Sequence, residues 1–387
     1  MNLTRFDKFA ERVRDFISRN STPLVWGRCD NENPSDAEFN ELALELFRMQ
    51  YESVHPYRRW CQTRRVSPSA VLHWEQIPAI PTAAFREQDM TCLEPAGRTA
   101  FFYSSGTTAH WPSRHWHNGA SLKLYESSLL SWFVPHLLPD VETRGSSFLR
   151  WLVLCPPPAL APHSSLAYML GTVTARFGPG KTVFAGRPGP DNTWVLDIEA
   201  AYAALERSQM ENTPTCILAT AIHCVELLGH MERDNYSLRL PAGSRLMETG
   251  GYKGRSHTLS KDELIRNVSR TLGIPPAYCV SEYGMAELSS QAYDSVAGLT
   301  ESGTVFGGDG TRCFRFPPWA RISSVSPETG LKAENGEPGL LRVYDLANVY
   351  SVMAIQTDDL VVLKHGGFEF IGRRTGSERR GCSLMAQ

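Results

Sequence analysis

Long apolar runs are missing from this chain. None approaches the roughly 18 residues of a membrane span, and Met1 to Asn20, studded with charge, has no apolar stretch of the kind a secretory signal needs. An excess of one charge is missing as well. A formal net charge of −2 leaves no basic stripe for nucleic acid or an anionic membrane surface. The nine cysteines stand singly, with no Cys-x-x-Cys pair, so no disulfide framework is read and the expectation is reduced thiols in a cytoplasm. No Gly-x-Ser-x-Gly elbow is present, which removes support for a Ser-His-Asp hydrolase. No Gly-x-Gly-x-x-Gly opens a helix after a first strand, which argues against a dinucleotide reductase. Internal repeats and low-complexity tracts are absent too.

What is present is an ordinary globular composition. With 387 residues, 42% apolar and 21% charged, the chain can bury a large α/β core with subdomains. Phe6, Phe9, Val13, Phe16 and Ile17 share one face of a predicted helix over 5–19. Ser35-Asp36-Ala37-Glu38 reads as a capping box opening a second helix, with Phe39, Leu42, Ala43, Leu46 and Met49 at core spacing. Ile77-Pro78-Ala79-Ile80-Pro81 is too rigid and donor-poor for a helix. Beyond it, strand-like runs at 151–155, 182–185, 216–219, 277–280 and 340–344 alternate with helix-like stretches at 120–130, 198–207, 222–233 and 261–272. Such alternation predicts an α/β architecture with a largely parallel sheet, and the last hundred residues read as a β-rich subdomain.

The most informative stretch is Phe101-Phe102-Tyr103-Ser104-Ser105-Gly106-Thr107-Thr108. An apolar strand stops in a loop of hydroxyls around one glycine, which offers backbone N–H and O–H donors to an oxygen-rich anion such as a triphosphate. No Gly-Lys-Ser/Thr follows, so it is not a Walker A loop. Alone, the stretch reads equally as a polar turn. Three motifs follow in order. Glu248-Thr249-Gly250-Gly251-Tyr252 lets a flat ring approach bare backbone. Tyr283-Gly284-Met285-Ala286-Glu287 sets an aromatic and a glycine before a carboxylate suited to Mg²⁺. Thr357-Asp358-Asp359 and Gly372-Arg373 supply a carboxylate for a ribose diol and a cation near it.

Together these motifs resemble the superfamily of adenylate-forming enzymes: acyl-CoA synthetases, peptide-synthetase adenylation domains and firefly luciferase. Tyr57-Arg58-Arg59-Trp60-Cys61, Ile77-Pro78-Ala79-Ile80-Pro81, Phe85-Arg86, the Ser/Thr loop and Gly381-Cys382-Ser383-Leu384 extend the likeness to the acyl-protein synthetase family over almost the whole chain. The resemblance implies an ATP-dependent enzyme that turns a carboxylic acid into an acyl-adenylate and passes the acyl group to a thiol. It implies an α/β adenylate-forming large domain with a β-rich end, and a short tail in place of the small C-terminal domain. The expected boundaries are a helical segment at 1–90, the adenylate-forming core at 91–375 and the tail at 376–387. ATP and Mg²⁺ are the implied cofactors. Ser104, Ser105, Gly106, Thr107, Thr108, Thr249, Gly250, Gly251, Tyr283, Gly284, Met285, Asp359 and Arg373 are the implied nucleotide contacts, and Glu287 the metal-linked carboxylate. Partners implied are the acid and a reductase subunit or carrier protein; no nucleic acid and no membrane span are expected.

The chain departs from the superfamily pattern in places. Ala109 stands where a glycine is usual, Ala286 where a threonine is, and Asp358 where the ribose motif has glycine. No lysine follows the loop, and Arg114 is the nearest cation to take its catalytic place. Cys382, beside Arg379 and Arg380 in the tail, is the candidate acyl acceptor, since nearby guanidinium groups favour the thiolate; a solvated tail cysteine is the plain alternative. His163 and His223 are candidates for the acid pocket, each with a helix-start role as the alternative. His110, His115 and His117 read as a polar loop edging a pocket, with no Cys or acidic ligand to make a metal site. Transfer to a carrier thiol, coenzyme A or an amine, and a non-catalytic partner of a reductase or synthase, are the rival readings.

Overall fold

A computed structural model describes residues 4–21, 35–104, 112–145, 148–189, 193–250, 259–299, 312–334, 336–364 and 366–374. Ser105, Gly106, Thr107, Thr108, Gly251 and Cys382 lie outside them.

Two sheets organise the described residues. The central one has six strands in the order Ala292–Tyr293, Cys279–Tyr283, Arg245–Thr249, Thr215–Thr220, Arg150–Val153 and Thr182–Phe184. Every neighbouring pair is parallel except the first, where Glu282 faces Tyr293 and Tyr283 faces Ala292 in antiparallel register. Strand alternation sends Trp151, Val153, Cys216, Leu218, Met247 and Val280 to one face, in the larger core with the helices Gly119–Leu137 and Ser165–Phe177. Leu152, Leu154, Ile217, Ala219, Leu246 and Cys279 go to the other, under the helices Ile198–Met210, Ala221–Arg233 and Lys261–Leu272. Burial on both faces is why these strands read as continuous apolar runs.

The second sheet closes the C-terminal end. Its order is Ile80–Pro81, Ala354–Lys364, Pro338–Asp345 and Ala320–Val325, with Gly367–Arg373 also paired to the long strand 354–364. All pairings in it are antiparallel apart from Ile80–Pro81, which runs parallel to Ile355 and Gln356. Pro81 has no N–H to give, and an edge strand is where that loss is tolerated. The N-terminal helices Arg5–Arg19 and Ser35–Ser53 share the larger core with this sheet: Phe9, Phe16, Phe39 and Leu46 belong with Tyr344, Val349 and Ile355. Gln50, fully buried, ties the contact by donating to the Asn348 carbonyl at 2.8 Å and accepting from the Met353 N–H at 3.0 Å.

A small antiparallel ribbon, Ala100–Tyr103 with Arg114–His117, carries both ends of the Ser/Thr loop. Only Phe102 of the first strand is fully buried, so the strand is half-exposed rather than a core strand.

Candidate active site

Parallel strands of the central sheet end at Thr220, Thr249 and Tyr283, side by side, which is where open α/β sheets bind ligands. Thr220 caps the next helix by accepting from the His223 N–H at 3.2 Å. Thr249 donates its hydroxyl to Glu282 on the neighbouring strand. Gly250 follows with φ +88°, a left-handed turn that a side chain would strain.

Tyr283 leaves the sheet on the side of the second sheet. Its hydroxyl donates to Asp359 Oδ2 at 2.7 Å, and its ring packs among Phe314, Phe316 and Phe368. Asp359 also accepts from Arg373 Nε at 2.6 Å, and its own N–H donates to Thr357 at 3.1 Å. The carboxylate is buried, with each oxygen taking one of these donors. A carboxylate has about four lone-pair sites, so capacity for a ligand diol remains.

Glu287 lies four residues on and is fully buried. Its Oε1 accepts from Ser113 Oγ at 2.6 Å, and its carbonyl accepts from Asn348 Nδ2 at 2.9 Å. Ser113 in turn is joined to Ser104: the Ser104 N–H donates to the Ser113 carbonyl and the Ser113 N–H to Ser104 Oγ, both at 3.2 Å. Asn348 is fixed by Ser289 Oγ at 2.7 Å, and Ser289 and Ser290 both donate to buried Asp345. Burial pushes the Asp345 carboxyl up to about 6 in spite of those donors. A buried carboxylate is a donor type a hard divalent cation accepts, so Glu287 fits Mg²⁺.

Strand alternation decides which side chains of the ribbon face this cluster. Ser113, His115 and His117 are buried, whereas Arg114 is on the other side, 3.5 Å from Asp89 and over the Trp116 ring. Asp89 already holds Arg98 at 2.7 Å and the Trp116 N–H at 2.9 Å. His115 shares a hydrogen bond with the Ala286 carbonyl at 2.7 Å; burial lowers its pKa against the pull of that carbonyl and of Glu287. His117 is held well below its ordinary value by burial and by His115 beside it.

Gly284 and Met285 complete the stretch. A Cβ at Gly284 would collide with Glu282 Oε1, so a side chain there would require that carboxyl to shift, and Met285 packs half-buried on the larger core. Burial raises the Glu282 carboxyl to about 7, opposed by the Thr249 hydroxyl and helped by Glu248. His163 stacks on Phe101 with ring centroids 4.0 Å apart, and its carbonyl accepts from the Tyr103 N–H. His223 bonds the hydroxyl of Thr220 at 2.9 Å and stacks on Trp194. Neither histidine joins the Tyr283–Asp359 or Ser113–Glu287 groups. Ser113, Asn348 and Glu282 escaped the sequence reading, and His115, read there as part of a polar loop, is a buried residue of the strand Arg114–His117. Each acts through partners distant in sequence, and only the position of Ser113 just past the Ser/Thr loop could have drawn notice.

Among the described residues no three His, Cys, Asp or Glu side chains gather into a further metal-holding group, and no helix is long and apolar enough to cross a membrane.

The chain is similar to known proteins in sequence and in fold. The family model described as acyl-protein synthetase, LuxE, matches residues 164–387. A curated relative, the long-chain-fatty-acid–luciferin-component ligase of Aliivibrio fischeri, is 22% identical over 362 residues, covering 89% of this chain and 86% of the relative. Among solved structures, 2-hydroxyisobutyryl-CoA ligase with 2-HIB-AMP and CoA superposes with a TM-score of 0.62 at 13% identity, over 87% of this chain and 68% of that one. Its open conformation gives 0.60 over 87% and 70%. The fold is that of adenylate-forming ligases.

Proposed function

The chain belongs to the acyl-protein synthetase family, and from that premise we propose how its own residues divide the work of an ATP-dependent ligase. In the reaction a carboxylate oxygen attacks the α-phosphorus of ATP, pyrophosphate leaves with the electrons of the broken P–O bond, and the acyl-adenylate passes its acyl group to a thiol with release of AMP. Asp359, with Arg373 and Tyr283 on its two oxygens, takes the ribose hydroxyls. Gly250 and Gly251 leave room for the adenine ring, and Tyr283, Gly284 and Met285 border it. Ser104, Ser105, Gly106, Thr107 and Thr108 donate to the phosphates, and Arg114 adds a cation that can exchange its 3.5 Å contact with Asp89 for them. Glu287 would hold Mg²⁺, which when bound neutralises charge on the phosphate oxygens. His163 and His223 border the acid, and Cys382 is the acceptor thiol. The protein contributes positioning and fixed charge, the main levers for phosphoryl-centre chemistry.

One observation supports this reading above the rest. The five residues Tyr283–Glu287 are pinned at one end by Asp359 of the second sheet and at the other by Ser113 of the ribbon. Two segments distant in sequence are thereby focused on one stretch at the end of the central sheet. The family's acyl substrate and a reductase or carrier partner carry over as part of the proposal, and the chain's place is in the cytoplasm. The test is acid-dependent exchange of labelled pyrophosphate into ATP over a library of carboxylic acids. Exchange with at least one acid is expected; silence across alkanoic, hydroxy and aromatic acids in the folded protein would overturn the proposal.

A further inference from the structure

The ribbon strand after the Ser/Thr loop grips the Tyr283–Glu287 stretch in register. Ser113 and His115, two residues apart and therefore on one face, bond the consecutive residues Glu287 and Ala286: Ser113 Oγ to the Glu287 carboxylate at 2.6 Å, His115 Nδ1 to the Ala286 carbonyl at 2.7 Å. The partners are 174 and 171 positions apart in sequence. Ser113 is fully buried and its backbone is tied to Ser104 from both sides. The carbonyl of Glu287 is held separately by Asn348.

We infer that Ser113 is a positioning residue for Glu287, fixing the direction in which its carboxylate is presented and so setting the affinity of the site for a divalent cation. The inference rests on the proposed role of Glu287. Three observations lead to it. A glutamate side chain has three rotatable bonds, and freezing them before a cation arrives removes an ordering cost from binding. The backbone anchor at Asn348 fixes where the side chain starts, while Ser113 bonds the carboxylate itself. The bond is short and charge-assisted, the stronger kind for a neutral donor.

The test uses the full chain with Mn²⁺ as probe, followed by electron paramagnetic resonance in the presence of a non-hydrolysable ATP analogue, and metal-free AMP binding as control. Ser113→Ala should weaken Mn²⁺ binding about tenfold with AMP affinity unchanged. Ser113→Thr, which keeps the hydroxyl, should restore it. Ser113→Cys keeps the volume with a weaker donor and should fall between; it carries the test if the alanine variant does not fold. Mn²⁺ affinity in Ser113→Cys or Ser113→Ala within twofold of wild type, or a threonine variant no better than alanine, would overturn the inference. These titrations need no turnover. A wild-type chain silent in pyrophosphate exchange therefore refutes the activity without deciding the clamp, which the metal titration decides by itself.

Discussion

Tyr283 donates its hydroxyl to Asp359 at 2.7 Å, joining the last residue of a central-sheet strand to the long strand of the second sheet across 76 positions of sequence. The contact links the two sheets at the proposed nucleotide site. Asp359 is thereby oriented before any ligand arrives, with Arg373 on its other oxygen.

Replacing Asp359 by Ala should weaken ATP and AMP binding at least tenfold, since a diol loses an acceptor and the half-buried Arg373 and Tyr283 donors lose their partner. Tyr283→Phe removes one donor and should cost less. Calorimetric titration of each variant checks the order; an Asp359→Ala protein that binds AMP like wild type would refute the ribose assignment.

Thr107→Ala with Thr108→Ala removes two hydroxyl donors to charged oxygens, each bond contributing roughly 1.5–3 kcal/mol. ATP-dependent exchange should fall at least tenfold, with the melting temperature little changed. Unaltered exchange in the folded double variant would show that the loop does not hold phosphate.

The described cysteines are poor acyl acceptors. Cys61, Cys155, Cys216, Cys224, Cys279 and Cys313 are buried and Cys92 half-buried. Burial pushes the thiols of Cys61, Cys92, Cys216 and Cys279 up to about 12, far from the thiolate at neutral pH. Of the two cysteines outside the described residues, Cys29 and Cys382, incubation with ATP, Mg²⁺ and a competent acid should leave a hydroxylamine-labile acyl group on Cys382. Cys382→Ser should keep adenylate formation and lose the thioester, because activation and transfer use different groups. A mass spectrum with acyl-adenylate formed and no mass added to the wild-type chain would move the acceptor to a carrier thiol, coenzyme A or an amine.

Buried titratable groups give stability a two-sided pH dependence. Burial pushes His136 down to about 3, against the carbonyl of Trp132. The unfolded chain takes the proton near 6.5 and the folded chain does not, so this contribution is whole above pH 6.5 and is lost as pH falls towards 3. The loss approaches ~1.4 kcal/mol per pH unit. Glu282 acts in the opposite sense: its folded value is raised from 4.5 to about 7, so its contribution is whole below pH 4.5 and is lost as pH rises through 7. Urea unfolding at pH 4.5 and 7 should show His136→Phe losing more stability on going from pH 4.5 to 7 than wild type and Glu282→Gln losing less. Parallel curves for all three proteins would contradict both assignments.

Much of the fold was written in local pattern. The helix over Arg5–Arg19 and the helix over Lys261–Leu272 fall where the sequence reading puts them, because amphipathic spacing is read within a few residues. The strand-and-helix alternation likewise predicts the central parallel sheet and the β-rich end. Extents were less legible. The helix expected over 120–130 runs from Gly119 to Leu137 with Pro135 inside it, and a further helix, Ser165–Phe177, follows the proline run. Tertiary packing of Leu129, Trp132, Phe133 and Leu137 outweighs what propensity says at a helix end.

The family, the reaction class and the order of the motifs were determined by the sequence alone, because a phosphate-binding loop or a ribose carboxylate is a short run of residue types. Which side chains meet was decided only by the tertiary structure. Nothing local says that Ser113 rather than Arg114 reaches Glu287, because a strand's two faces are told apart by what packs on them. Glu282 is silent in the sequence for the same reason. A glutamate becomes a group titrating near neutrality only when folding takes it out of water and sets it beside Glu248.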